Sequence, residues 1–311
     1  MIRRLTILLP VFLFWTSACS AVSVFSLTPT PTQYIYPTAV TPVVPALTVD
    51  VLRNVEYTLP GFGGATFAYL LKDGKYSEGD PSVAGYVNLS MLDLFAFGDL
   101  NQDGVNDAAV LIGANYGGTG VFVSLNAVLN DNGQPRHAAW YMVDDRPQVK
   151  LLDIRDGEIY MEAIVHAFED PACCPNLPVT RSFKISGVSL MLVQATSRLA
   201  NGQERSITIN SPADGMEMGG NLVVNGSVTA LPFENTLTLR VYNEQGNELF
   251  ISPVQVSDAG GTGRFSITLD LNTFPLGRVR IVVADLNAAD NSVLALDSVE
   301  ILVKKHLMQY Q

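Results

Sequence analysis

Apolar and polar residues alternate with a period of two along most of the chain beyond residue 50. Phe265-Ser266-Ile267-Thr268-Leu269-Asp270-Leu271 alternates without a break, as do Leu237-Thr238-Leu239-Arg240-Val241 and the start of the next segment, Val279-Arg280-Ile281. That period places one set of side chains on a buried face and the other in water, the signature of half-buried strands. Turn-forming residues separate the runs, as in Glu244-Gln245-Gly246-Asn247 and Ala259-Gly260-Gly261. Nearer the N-terminus, Val121 to Leu129 and His137 to Val143 flank Asn130-Asp131-Asn132-Gly133. Val149 to Ile154 and Ile159 to Val165 flank Asp156-Gly157, and Val179 to Ile185 and Val188 to Val193 flank Ser186-Gly187. Each predicts a hairpin. No long amphipathic helix is evident, and Ser90 to Leu94 reads as a short turn. The pattern predicts an all-β protein.

About 260 residues of strand-like sequence exceed what one small core holds, which predicts two domains. They are 51–195, an antiparallel β meander, and 206–304, joined at the polar break Thr196 to Arg205. About seven strands in the second region suit a two-sheet sandwich. That region contains neither Cys nor Trp, so its core must be Val, Leu, Ile and Phe. Its motifs I-T-I-N-S-P-A-D-G at 207–215, N-G-S-V at 225–228, V-Y-N-E-Q-G-N-E-L at 241–249 and G-G-T-G-R-F-S-I at 260–267 resemble the bacterial spore-germination immunoglobulin-like domain. The segment V-L-A-L-D-S-V-E-I-L-V at 293–303 resembles that family's last strand. The resemblance implies an extracytoplasmic β-sandwich accessory module and carries over no catalytic residue.

The first 50 residues are of another kind. Arg3 and Arg4 precede an apolar run from Leu5 to Trp15, too short to span a bilayer as a helix but suited to the core of a signal peptide. Thr16-Ser17-Ala18-Cys19 resembles a bacterial lipobox, which implies that residues 1–19 are a lipoprotein leader and that Cys19 is acylated. Thr16 stands where such boxes usually carry Leu, and ordinary cleavage or an uncleaved anchor are the alternatives. Residues 20–50, rich in Pro, Thr and Ser and uncharged before Asp50, read as a semi-rigid tether. The net charge of −11 lacks the basic footprint that binding to nucleic acid requires. The membrane contact must then come from acyl chains.

The sharpest chemical signal is Asp99-Leu100-Asn101-Gln102-Asp103-Gly104-Val105-Asn106-Asp107. Calcium takes six to eight hard oxygens, supplied at alternating positions of a tight loop. Asp99, Asn101, Asp103 and Asp107 with the Val105 carbonyl offer such a set; an EF-hand would need Glu where Val110 stands, and the flanks are strand-like. The stretch F-G-D-L-N-Q-D-G-V-N-D-A-A-V-L-I resembles one FG-GAP (integrin-type) repeat, whose side-chain ligands fall at Asp99, Asn101, Asp103 and Asp107 and whose carbonyl ligand falls at Val105. Only one copy is present, whereas a propeller needs about four to eight blades. The alternative is an acidic turn that binds nothing. The segment from this loop through Asp170-Pro171-Ala172-Cys173-Cys174-Pro175 also resembles an uncharacterised domain of bacterial envelope lipoproteins.

Cys173 and Cys174 are the remaining thiols once Cys19 is acylated. They admit a vicinal disulfide, two free thiols or pairing with another chain, or a soft-metal site completed by His166. Gly117-Gly118-Thr119-Gly120 reads as a flexible turn, Asp144-Asp145-Arg146 as a solvated turn with a local ion pair, and His137, His166 and His306 are scattered. The metalloprotease, hydrolase-elbow and phosphate-loop signatures are missing. The expectation is a non-enzymatic, lipid-anchored envelope protein that binds or scaffolds at the cell surface, with wall glycan or an envelope protein as partner. The alternatives are a wall-modifying hydrolase using clustered Asp residues and a redox or metal-handling protein using Cys173-Cys174.

Overall fold

A computed structural model describes residues 44–61 and 65–305, and almost every element in them is a strand. Residues 1–19, expected as a leader, with Cys19, most of residues 20–50, expected as a tether, and His306 lie outside the described residues. The first body opens with α1 (Val49–Leu52), then β1 (Glu56–Pro60), β2 (Thr66–Leu70), β3 (Lys75–Glu78), β4 (Val87–Gly98), β5 (Asp107–Asn115), β6 (Phe122–Asp131) and β7 (Gln134–Asp145). It continues with β8 (Gln148–Arg155), β9 (Glu158–Val165), β10 (Leu177–Ser186) and β11 (Ser189–Arg198). β3 to β7 form one antiparallel meander and β8 to β11 another.

The two meanders face each other. Ala109, Leu111, Leu125 and Ala127 of the first pack with Ile159, Met161, Val179 and Phe183 of the second. The opposite face of the first meander is also covered. Ala108, Val110 and Ile112 pack there against Leu52, Tyr57, Leu59 and Leu71 from α1, the β1–β2 hairpin and the residue after it. Burial on both faces is why Ala108-Ala109-Val110-Leu111-Ile112 is continuously apolar rather than alternating. Residues 44–50, read from sequence as the end of a tether, belong to this layer: Leu47 is buried and the Pro45 carbonyl accepts from Asn130 Nδ2 at 2.9 Å.

A polar network running from exposed Thr58 to buried Asn126 and Ser124 ties the covering layer down. His137 Nδ1 accepts the Thr58 N–H at 3.1 Å, so the neutral ring carries its proton on Nε2, which donates to Asn126 Oδ1 at 3.1 Å. Asn126 Nδ2 donates in turn to the Ser124 carbonyl at 3.1 Å and hydroxyl at 3.0 Å. The segment Ser90–Leu94, expected as a turn, lies inside β4. The register of β4 on β5 shifts between Met91 and Phe95, and that irregularity breaks the alternation by which a strand is read.

The second body comprises β12 (Glu204–Arg205), β13 (Ile207–Ser211), β14 (Met216–Met218), β15 (Asn221–Val228), β16 (Thr236–Asn243), β17 (Glu248–Asp258), β18 (Gly263–Asp270), β19 (Gly277–Leu286) and β20 (Val293–Val303). β13, β15 and β18 form one sheet and β16, β19, β20 and β14 the other, while β17 pairs first with β16 and then with β18. Leu237, Leu239, Val241, Val254, Phe265, Leu269, Ile281 and Val283 fill the space between. Gly226 of β15 sits where a Cβ would come within 2.1 Å of the Thr208 carbonyl and 2.4 Å of the Phe265 ring. Gly226→Ala is expected to lower stability by about 1–3 kcal/mol through overpacking, measurable by urea unfolding.

Ladder hydrogen bonds connect β3 to β20 in one closed circuit. The buried side chains nevertheless fall into separate clusters, so the circuit is two sandwiches joined edge to edge rather than one barrel wall. The join is β11 on β20, with Gln194 opposite Asp297 and Ala195 opposite Leu296. Around it, Ala195, Val282, Ala284 and Leu296 form a small apolar cluster, Ser298 Oγ donates to the Val193 carbonyl at 2.8 Å, and Arg205 pairs with buried Asp285 at 3.3 Å. The polar break at 196–205 is itself hydrogen-bonded, with Ser197 opposite Arg205 and Arg198 opposite Glu204.

Candidate functional site

The nonapeptide Asp99–Asp107 is the connection between β4 and β5. Asp99 accepts from two loop amides, Asp103 N–H at 3.1 Å and Gly104 N–H at 2.8 Å. Asp103 Oδ1 accepts the Val105 N–H at 2.8 Å, and its Oδ2 accepts from Asn101 Nδ2 at 2.9 Å. Gly104 holds φ +86°, a left-handed value that a side chain would strain. Asp99, Asn101 and Asp103 thus sit on one tight turn with oxygen donors only, the chemistry that hard cations take.

Asp107 is placed differently from its neighbours. It is fully buried, and its oxygens accept the N–H groups of Leu100 and Asn130, each at 2.9 Å. Burial pushes its carboxyl above the usual carboxylate range, and the two backbone donors partly offset that. Among the described residues, no three His, Cys, Asp or Glu side chains converge as a metal cluster. Each carboxylate oxygen has a second lone pair, so accepting an N–H does not exclude ligation.

The cysteine pair lies at the other end of the first body. The calcium-type loop neighbours the β8–β9 turn, with Gln102 Nε2 donating to the Asp156 carbonyl at 3.5 Å, whereas Cys173 and Cys174 lie in the connection after β9. The sequence-derived loop and cysteines are therefore not brought together. Cys173 and Cys174 are bonded to each other. His166, considered as a third ligand with their thiolates, is engaged elsewhere: its Nδ1 meets Asp144 Oδ2 at 3.0 Å.

Around the Asp144–His166 pair is a shallow, solvent-open cavity of about 470 Å³ that the sequence did not reveal. His166, Asp170, Arg181, Asp144 and Phe168 line it from the first body and Asp290 and Ser292 from the β19–β20 connection of the second. Asp144 and His166 are 22 positions apart and meet only because β7 and β9 end at the same place. Asp145 forms the local ion pair with Arg146 that its sequence predicts. Burial alone would raise Asp145, but hydrogen bonds from Arg146 and the Val121 N–H bring it below the ordinary carboxylate value. An Asp–His pair is a general-base arrangement in hydrolases, but no hydroxyl or thiol bonds His166 Nε2 among the described residues.

Residues 206–292 match the Gmad2 family, the immunoglobulin-like domain of bacterial spore germination. The match covers less than half of the chain and ends just before β20. No curated protein matches the chain. Among solved structures, the titin Ig tandem domains A164-A165 overlap 61% of this chain and 90% of that one at 10% identity and a TM-score of 0.20. The extracellular domain of the one-component system BT4673 from B. thetaiotaomicron overlaps 67% of this chain and 36% of that one, at 8% identity and a TM-score of 0.20. Overlaps at that score carry no argument about function.

Proposed function

We propose that this chain is a non-enzymatic, extracytoplasmic binding or scaffolding protein, held at the membrane by acylation of Cys19 and directed to wall glycan or an envelope protein. The observation that carries this reading is the immunoglobulin-like second body, matched at 206–292 and joined edge to edge to a second sandwich. Such sandwiches present surface and loops, and the matched family brings no reactive residue. Calcium is the proposed cofactor. Asp99, Asn101, Asp103, the Val105 carbonyl and Asp107 would hold it, and when bound it would stiffen the β4–β5 connection without entering chemistry. The bond between Cys173 and Cys174 supports an extracytoplasmic location, because disulfides persist in oxidising compartments.

The full-length chain, purified in detergent, should be retained by isolated cell wall or envelope and largely released by EDTA. Absence of retention from wall and from detergent-solubilised envelope proteins alike would overturn the binding assignment. Retention indifferent to EDTA would leave the binding reading and remove calcium from it.

A further inference from the structure

Three arginines and one histidine have buried side-chain nitrogens without a partner among the described residues: the Nε atoms of Arg181, Arg205 and Arg280, and Nε2 of His166. Three of these four side chains are fixed through another atom. Arg205 Nη1 pairs with Asp285 at 3.3 Å, Arg280 Nη2 donates to Ser298 Oγ at 3.1 Å, and His166 Nδ1 meets Asp144 at 3.0 Å. Arg181 differs in having no ion-pair or hydrogen-bond partner among the described residues, although its Nε is out of water. A guanidinium carries five donors in a planar fork suited to a carboxylate, and Arg181 is partly buried with one of those donors out of water and unpaired.

Arg181 lines the cavity between the two bodies, together with four carboxylates, Asp144, Asp145, Asp170 and Asp290, and with apolar side chains such as Val143 and Phe168. Asp144 and Asp145 are already committed to His166 and Arg146. Asp170 is half committed: its Oδ2 accepts the N–H groups of Ala167 and Asn176, both at 2.8 Å, and its Oδ1 has no partner among the described residues. Asp290 is in the same condition, with Oδ1 accepting the Ser292 N–H at 2.9 Å and Oδ2 open. The cavity therefore offers one cationic fork without a partner and two carboxylates each with an open oxygen, in a solvent-open space of about 470 Å³.

We propose that this cavity binds a small zwitterion, an amino acid or a peptide end, with its carboxylate on Arg181 and its ammonium between Asp170 and Asp290. The site goes beyond the wall-binding reading and does not depend on it. Because Asp290 comes from the second body, the ligand would also bridge the two.

Isothermal titration of the full-length chain in detergent tests it, using L-alanine, D-alanine and the dipeptide Ala-Ala as probes. Alaninamide lacks the carboxylate, propionate lacks the ammonium, and inorganic phosphate is an anion alone. At least one amino-acid or dipeptide probe should bind at millimolar concentration or below, and the three controls at least tenfold more weakly. Free alanine binding as well as Ala-Ala would identify an amino-acid site, and Ala-Ala alone a peptide-end site. Arg181→Gln should weaken the successful probe at least tenfold while the protein melts within a few degrees of the parent, since no ion pair or hydrogen bond among the described residues is lost. If that variant does not fold, Asp290→Asn, on an exposed loop, serves instead and should weaken binding several-fold. The proposal is overturned by no heat from any amino-acid or dipeptide probe, by alaninamide or phosphate binding as well as Ala-Ala, or by full affinity in folded Arg181→Gln.

Discussion

Asp107→Ala should lower stability by about 2–4 kcal/mol. Its carboxylate is buried and accepts the N–H groups of Leu100 and Asn130, so the substitution strands two backbone donors away from water. Each buried donor left unsatisfied costs about 1–3 kcal/mol. The loss should be present with EDTA, because it arises from backbone pairing and not from an ion. Asp107→Asn keeps one acceptor oxygen and should lose about half as much. Urea unfolding of the two variants reads this directly. A loss below about 0.5 kcal/mol for the alanine variant would mean that the carboxylate does not pin the loop to β6.

Acid should destabilise the protein through His137. Burial pushes this imidazole down to about 4, against an ordinary value of 6.5, with its ring nitrogens on Thr58 N–H and Asn126 Oδ1. Nδ1 must stay unprotonated to accept the Thr58 N–H, so protonation breaks the link between β1 and β7. The unfolded chain then binds the proton more readily than the folded one. The contribution is fully present above pH about 6.5 and is lost as pH falls toward 4, amounting to about 3 kcal/mol across that window. For a body of this size that corresponds to roughly 6–12 °C of melting temperature. Carboxylates also titrate near the lower limit, so the comparison is with His137→Gln. That variant should be less stable at pH 7 and markedly flatter between pH 6.5 and 4. Parallel pH profiles for the two proteins would contradict the assignment.

How much of this was legible in the sequence depends on how local the cause is. The turns at Asn132-Gly133, Asp156-Gly157 and Gly187 follow from residues that favour positive φ, and the strands they join are where the alternation places them. The last strand, Val293–Val303, stands where the family resemblance of 293–303 placed it. The covering layer was not legible. α1 has four residues, too few for a helical period, and Leu47 is buried by a sheet that begins with β3, well downstream in the chain. Ser90–Leu94 misread as a turn because the register shift in β4 is set by pairing with β5.

The sites divide in the same way. Asp99, Asn101 and Asp103 could be found because a tight loop is written in consecutive residues. Asp107 looks like their equal in sequence, and only the partner strand reveals that its carboxylate faces Leu100 and Asn130. The cavity had one usable signal, a charged Arg181 two positions from buried Val179 in an alternating strand. Its other walls join the ends of β7 and β9 to Asp290 and Ser292, more than a hundred positions further on, a meeting that leaves no local trace.

The most direct test of the account is calorimetric titration of CaCl₂ into the EDTA-stripped, full-length chain, with Asp103→Ala alongside. One site is predicted, with a dissociation constant of about 10⁻⁴–10⁻³ M, abolished by the substitution. At a calcium concentration ten times that constant, stability should rise by about 1.4 kcal/mol. No heat at millimolar calcium, together with an unchanged melting temperature, would contradict it.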